Sequence, residues 1–268
     1  MVRHSRVLTG VMIVTAIGAV RPQVPQSGPA PSGSVASQHA PEKAMVDRDG
    51  ITAPREVHAF LDRARQALGG QARLHAVRSL LIDSTLTFEG QRPTPRQWRL
   101  LLPNRFAEIR PTVRYVIDGA NYYQEPEPAQ DAKEDARKAL ATTFTEQCLV
   151  LLLRASSLEP VRADFKETAT TGAKAVIFTR PDGSFVGIEF DAGTCRPQAY
   201  YRTSSVSMSG NTTTGTRRVV IDETKQIGGI SFPTAMTMVQ QGFPTPVKMA
   251  FTRIEVNQNV TLDDFRRR

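Results

Sequence analysis

Leu80-Leu81-Ile82-Asp83-Ser84-Thr85-Leu86-Thr87-Phe88-Glu89 is the stretch that decides the fold class. Leu80, Ile82, Leu86 and Phe88 fall on one face, and Leu81, Asp83, Thr85, Thr87 and Glu89 on the other. Only Ser84 interrupts the apolar face. A period of two marks a strand with one side buried and one solvated. Residues 90–95 make a turn, and residues 97–102 return with Trp98, Leu100 and Leu102 on one face. Pro103-Asn104 breaks that strand, and residues 105–110 form the next. Residues 114–117 lead into Asp118-Gly119, a strong hairpin signal, with Tyr122-Tyr123 continuing beyond it. Short turns between consecutive strands make antiparallel pairs, and nothing here alternates strand with helix.

Ahead of this meander the sequence predicts a helix. Thr52 can cap it, Pro54 sits in its first turn, and Val57, Phe60, Leu61, Ala64 and Leu68 recur at helical spacing. Gly69-Gly70 supplies the stop. Behind the meander, residues 131–154 read as a second helix with Leu140, Phe144, Cys148, Leu151 and Ala155 on one stripe. Its first half is charged, its second half apolar, and Pro160 prevents its continuation. Strands then resume at 174–179, 184–190, 198–202, 218–222, 230–239 and 247–256, with a Pro181-Asp182-Gly183 turn between the first two. About ten or eleven strands with two helices make a mainly β, α+β domain, a curved sheet or barrel spanning residues 51–268.

The ends differ in character. Arg3 and Arg6 precede an uncharged run from 7 to 20 with Ala16, Gly18 and Ala19 near its end, the pattern of an export signal over residues 1–20. Such a run is short for a membrane span, which needs about 20 apolar residues. Cleavage after export and retention as an anchor both remain open. Residues 21–50 are rich in Pro, Ser, Gly, Ala and Gln and read as a flexible linker. With 40% hydrophobic and 22% charged residues overall, the remainder can build a core.

The net charge is +8, or +6 once Arg3 and Arg6 are removed. After export, a basic surface either attracts anionic lipid head groups through peripheral contact or simply keeps the protein soluble. Dispersed basic residues do not outline a nucleic-acid footprint. The two cysteines, Cys148 and Cys195, permit one disulfide in an oxidising compartment or two buried thiols.

Chemistry-bearing motifs are absent. There is no His-Glu-x-x-His, Gly-x-Ser-x-Gly or phosphate loop. His58 and His75 lie on the first helix and its exit without carboxylate or histidine partners at metal-ligand spacing, so they read as surface residues. Glu189 and Asp191 are two apart on one strand, an arrangement more often solvated than catalytic. Trp98 suits stacking on a ligand or a place in the core. No cofactor, metal site or catalytic residue is expected.

Four stretches, in order, resemble the periplasmic lipoprotein carrier (LolA-like) family. They are Ala67-Leu68-Gly69-Gly70 running through Leu74 and Val77, Leu102-Pro103-Asn104-Arg105-Phe106 after Trp98, Ile117-Asp118-Gly119-Ala120-Asn121-Tyr122-Tyr123, and Ile227-Gly228-Gly229-Ile230-Ser231-Phe232-Pro233 with the closing Leu262-Asp263-Asp264-Phe265. Together they cover about residues 54–265. The resemblance implies an unclosed antiparallel β-barrel wrapped around a lid helix and enclosing an apolar cavity. In the carrier proper an arginine precedes the proline of the second stretch and helps lock the closed state; here Leu102 stands there. A relative of the carrier is therefore the expectation.

These readings combine into a monomeric, non-enzymatic periplasmic or otherwise exported protein. It would bind lipid or lipoprotein acyl chains in a cavity lined by Leu80, Ile82, Leu86, Phe88, Trp98, Leu100, Leu102, Phe144 and Leu151. Contact with envelope membrane proteins is part of the same expectation. The rivals are a scaffold or sensor module whose cavity is plugged by its own side chains, and a hydrolase with a non-standard site.

Overall fold

Hydrogen-bonded strands account for most of the computed structural model, which describes residues 44–127, 148, 151–154, 161–168, 172–181, 183–208, 211–240 and 245–268, the backbone alone at 203–208, 211–215 and 240. The export signal, most of the linker, Phe144, Asp182 and most of the expected second helix lie outside these residues.

Met45–Val46 (β1) and Ile51–Ala53 (β2) open the fold, followed by helices Arg55–Leu68 (α1) and Gln71–Ala76 (α2). The meander is Ser79–Phe88 (β3), Thr94–Leu101 (β4), Arg105–Ile109 (β5), Arg114–Asp118 (β6) and Asn121–Glu125 (β7). Then come Val161–Lys166 (β8), Ala173–Thr179 (β9), Phe185–Asp191 (β10), Pro197–Met208 (β11), Asn211–Ile227 (β12), Ile230–Gln240 (β13) and Val247–Val256 (β14). All belong to one sheet, in the order β1-β2-β8-β9-β10-β11-β12-β13-β14-β3-β4-β5-β6-β7. Neighbours are antiparallel except β2 and β8. β1 and β7 stand at opposite edges without pairing, so the sheet is unclosed. Its residues from β2, β3–β5 and β8–β14 nevertheless share one apolar cluster, which requires the sheet to curl around it.

The sheet has 14 strands rather than ten or eleven. β1 and β2 hold two and three residues, too few to display a period. β8 alternates Val161, Ala163 and Phe165 with Arg162, Asp164 and Lys166, a legible pattern that the expectation passed over. Within the stretch read as linker, Met45 and Val46 pair with Ala53 and Thr52. Thr52 is thus a strand residue and caps nothing; Pro54 takes the N-cap position of α1.

The stripe of α1 is as expected: Val57, Phe60, Leu61, Ala64 and Leu68 are all buried. Phe60 packs edge-on against Phe165 of β8 and Phe190 of β10, with centroids 5.5 and 5.2 Å away. Gly69 ends α1 at φ +132°, and a Cβ there would lie 2.2 Å from the carbonyl oxygen of Gly229. The helix end therefore abuts the β12–β13 turn, which only glycine allows.

A second, smaller cluster covers the opposite face. Ala107, Val116 and Phe265 are buried together, Phe265 being carried by a 3-10 helix at Leu262–Phe265. Arg99 pairs with Asp264, Tyr123 donates to the Phe265 carbonyl, and Arg114 donates to the Asp264 carbonyl. The C-terminal segment is thereby strapped over β4–β7.

Candidate ligand-binding core

Period-two alternation places Leu80, Ile82 and Leu86 of β3 and Trp98 and Leu100 of β4 in the main core. Leu80 is opposite Leu100, and Ile82 opposite Trp98. Ser84 keeps its place on this face because it is small and its hydroxyl donates to the Arg96 carbonyl at 3.4 Å. Across from Ser84 on β14 stands Phe251, whose ring meets Trp98 edge-on at 5.5 Å. Trp98 is fully buried by these contacts, so it packs in the core and stacks on no exposed surface.

Into this core come Cys148, Leu151, Leu152 and Leu153, all buried. Cys148 and Leu151 are helical, as the stripe in that region predicts. Leu151 borders two small voids. One, of about 10 Å³, lies among Leu80, Ile82, Cys148, Leu151, Phe232, Pro233, Phe251 and Ile254. The other, about 20 Å³, lies among Leu68, Leu151, Ile221, Pro233 and the polar Arg196, Thr224 and Ser231. Each has room for about one water. Leu151, Leu152 and Leu153 pack in the core beside these voids.

Of the nine expected lining residues, Leu80, Ile82 and Leu151 border a void. Leu86, Trp98 and Leu100 are packed in the same core but border neither void. Leu102 lies past the end of β4, partly buried against the core. Phe88 departs further: it faces the same way as Leu86 but sits at the strand end, 37% exposed, at the rim. Phe251 and Ile254 were missed because the β3–β14 register shifts between Phe251 and Arg253. A bulge turns residues three apart to the same face, which strict alternation cannot show.

Cys148 and Cys195 are both buried free thiols, so of the two readings the disulfide is set aside. Burial raises the Cys148 thiol pKa to about 12, which keeps it protonated and unreactive.

The histidines are not the solitary surface residues expected. His58 Nδ1 lies 3.5 Å from Asp47 Oδ2, and His75 Nε2 lies 3.0 Å from Asp49 Oδ1. Buried Arg65 joins both aspartates, at 3.6 and 3.1 Å. The aspartates arrive on the β1–β2 turn, so no local spacing could have announced the cluster. Glu189 pairs with Arg218, and Asp191 accepts the Gly193 and Thr194 backbone N–H groups. Each carboxylate thus has a structural partner. Among the described residues no group of three or more His, Cys, Asp or Glu could hold a metal, and no helix is long and apolar enough to cross a membrane.

The architecture has a counterpart among solved structures. A DUF1329 family protein from Desulfovibrio piger superposes with a TM-score of 0.52 over 78% of this chain and 97% of its own, at 10% identity. This chain has the same fold. Two further solved structures show lower similarity. A domain named for outer membrane lipoprotein sorting, from Vibrio parahaemolyticus, gives a TM-score of 0.48 at 10% identity over 78% of this chain and 96% of its own. A LolA superfamily protein from Nitrosomonas europaea gives 0.41 at 9% identity over 78% and 97%. No family model and no curated protein matches the sequence.

Proposed function

We propose that this is an exported envelope protein that binds the acyl chains of a lipid or lipoprotein inside the curled sheet, without catalysis. The observation that carries the reading is the position of Leu151. It borders both voids while Cys148, Leu152 and Leu153 fill the core beside it. The segment acts as a plug. An acyl chain and a leucine-rich plug are chemically alike, so one replaces the other with no net exposure of apolar surface. Each buried methylene contributes roughly 0.8 kcal/mol, so affinity comes from the apolar surface the chain buries beyond what the displaced plug gives up. The order of sequence motifs resembling lipoprotein carriers supports the same reading. Leu102, in place of the carrier's locking arginine, favours passive exchange over a driven hand-over cycle.

The burial of Leu151, Leu152 and Leu153 in the core favours one rival, a scaffold or sensor module whose plug never leaves. Native mass spectrometry of protein purified from its own envelope separates the two. The carrier reading expects lipid or lipoprotein adducts that detergent removes. Protein free of adducts that also fails to take up a fluorescent fatty acid contradicts it. Export is tested apart from binding: a fusion lacking residues 1–20 is expected to stay in the cytoplasm.

A further inference from the structure

Inside the curled sheet two arginines face each other. Arg202 on β11 is the direct cross-strand partner of Arg217 on β12. Tyr200 precedes Arg202 by two residues and Val219 follows Arg217 by two, and both belong to the main core. The two guanidiniums therefore stand on the inner face. Arg217 is 8% exposed, and burial followed by the charge of Arg202 lowers its pKa. Like charges directly opposed weaken a sheet, and a guanidinium taken from water is costly. The next residue, Arg218, points outward and is matched by Glu189 at 2.6 Å.

Tyr200 stands between this pair and the apolar core. It is 1% exposed, and its hydroxyl is buried without a hydrogen-bond partner. Burial, then Cys148, raise its pKa, so it remains a neutral donor beside a residue that borders the apolar void. A buried hydroxyl and two directly opposed guanidiniums thus stand together beside the apolar core. They suit an anionic group joined to an apolar chain.

We propose that Arg202, Arg217 and the Tyr200 hydroxyl form a head-group subsite, taking the carboxylate or phosphate of an amphiphile whose acyl chain enters beside Cys148 and Leu151. The subsite rests on the acyl-binding reading above and names its ligand class. Arg202 and Arg217 already engage other groups of the chain, so the anion enters by exchange. A guanidinium offers a carboxylate or phosphate two parallel donors, and the phenol adds a third partner.

The test uses the full chain and a fluorescent fatty acid, with the matching fatty alcohol and inorganic phosphate as controls. The unaltered protein is expected to prefer the fatty acid by roughly tenfold or more, the worth of one charged hydrogen bond. Arg217→Gln and the more exposed Arg202→Gln should each remove most of that preference and leave alcohol affinity in place. Tyr200→Phe should give a smaller loss. Phosphate alone is expected to bind far more weakly than the fatty acid, placing the anion on an amphiphile. Phosphate binding as tightly as the fatty acid overturns the head-group assignment. Equal affinity for acid and alcohol in the unaltered protein overturns the subsite and leaves acyl binding standing. Failure of both probes to bind overturns the two together.

Discussion

Arg96 Nη1 on β4 donates to Glu108 Oε1 on β5 at 2.8 Å, and Glu108 is wholly buried. The same carboxylate accepts from Arg110 Nε at 2.9 Å and Nη2 at 3.1 Å. Burial pushes the Arg96 guanidinium pKa down, and Glu108 opposes that push. One carboxylate therefore holds two partly desolvated cations at the end of the core face.

Removing it takes the shared carboxylate from both. Glu108→Ala is expected to destabilise the fold by about 3 kcal/mol or more, seen as a lower urea midpoint. Pairing Glu108→Leu with Arg96→Met should recover part of that loss. A neutral Glu108→Ala would show that the pair does not stabilise the sheet.

Gly69 provides a steric test of how α1 docks. Gly69→Ala adds a Cβ that would sit 2.2 Å from the Gly229 carbonyl oxygen, at φ +132°. A cost of about 2–3 kcal/mol is expected in denaturant unfolding. At Gly70 the added Cβ meets only the Gln66 side chain, at 3.4 Å, so Gly70→Ala should cost less.

The C-terminal strap carries a pH dependence. Burial opposes ionisation of Glu125, but the Arg268 backbone N–H and the Arg114 guanidinium outweigh it, and its pKa falls below the ordinary 4.5. A depressed carboxylate pKa stabilises the fold above the ordinary value, and that stability is lost as pH falls through the lowered one. Thermal scans from neutral to acid pH should thus show a larger drop below pH 4.5 for the native chain than for Glu125→Gln. Parallel curves would remove Glu125 from the strap's energetics.

Much of this was legible locally. The alternation over residues 80–88 placed Leu80, Ile82 and Leu86 correctly, because an antiparallel strand with one buried face leaves period two in its sequence. The α1 stripe was legible for the corresponding helical reason. What stayed hidden depended on distant partners. The bulge before Arg253, the Asp47–His58 and Asp49–His75 pairs, and the opposition of Arg202 with Arg217 each join residues separated by turns or whole strands. Phe88 failed differently, since its face was right but its position at a strand end left it exposed.

Leu151 links stability to binding. Leu151→Ala empties space at the junction of the two voids and should cost about 2–4 kcal/mol. A weakened plug is easier to displace, so the variant should bind an apolar probe more tightly than the native chain. Loss of stability with unchanged or weaker probe binding would make Leu151 ordinary core.

Hydrogen exchange with and without bound fatty acid tests the plug most directly. Displacement by ligand must release the backbone amides around Cys148 and Leu151–Leu153 while the sheet stays paired. The account predicts faster exchange across residues 148–153 when fatty acid is bound, with residues 80–86 of β3 still protected. Exchange in 148–153 that stays unchanged or slows with ligand bound would contradict it.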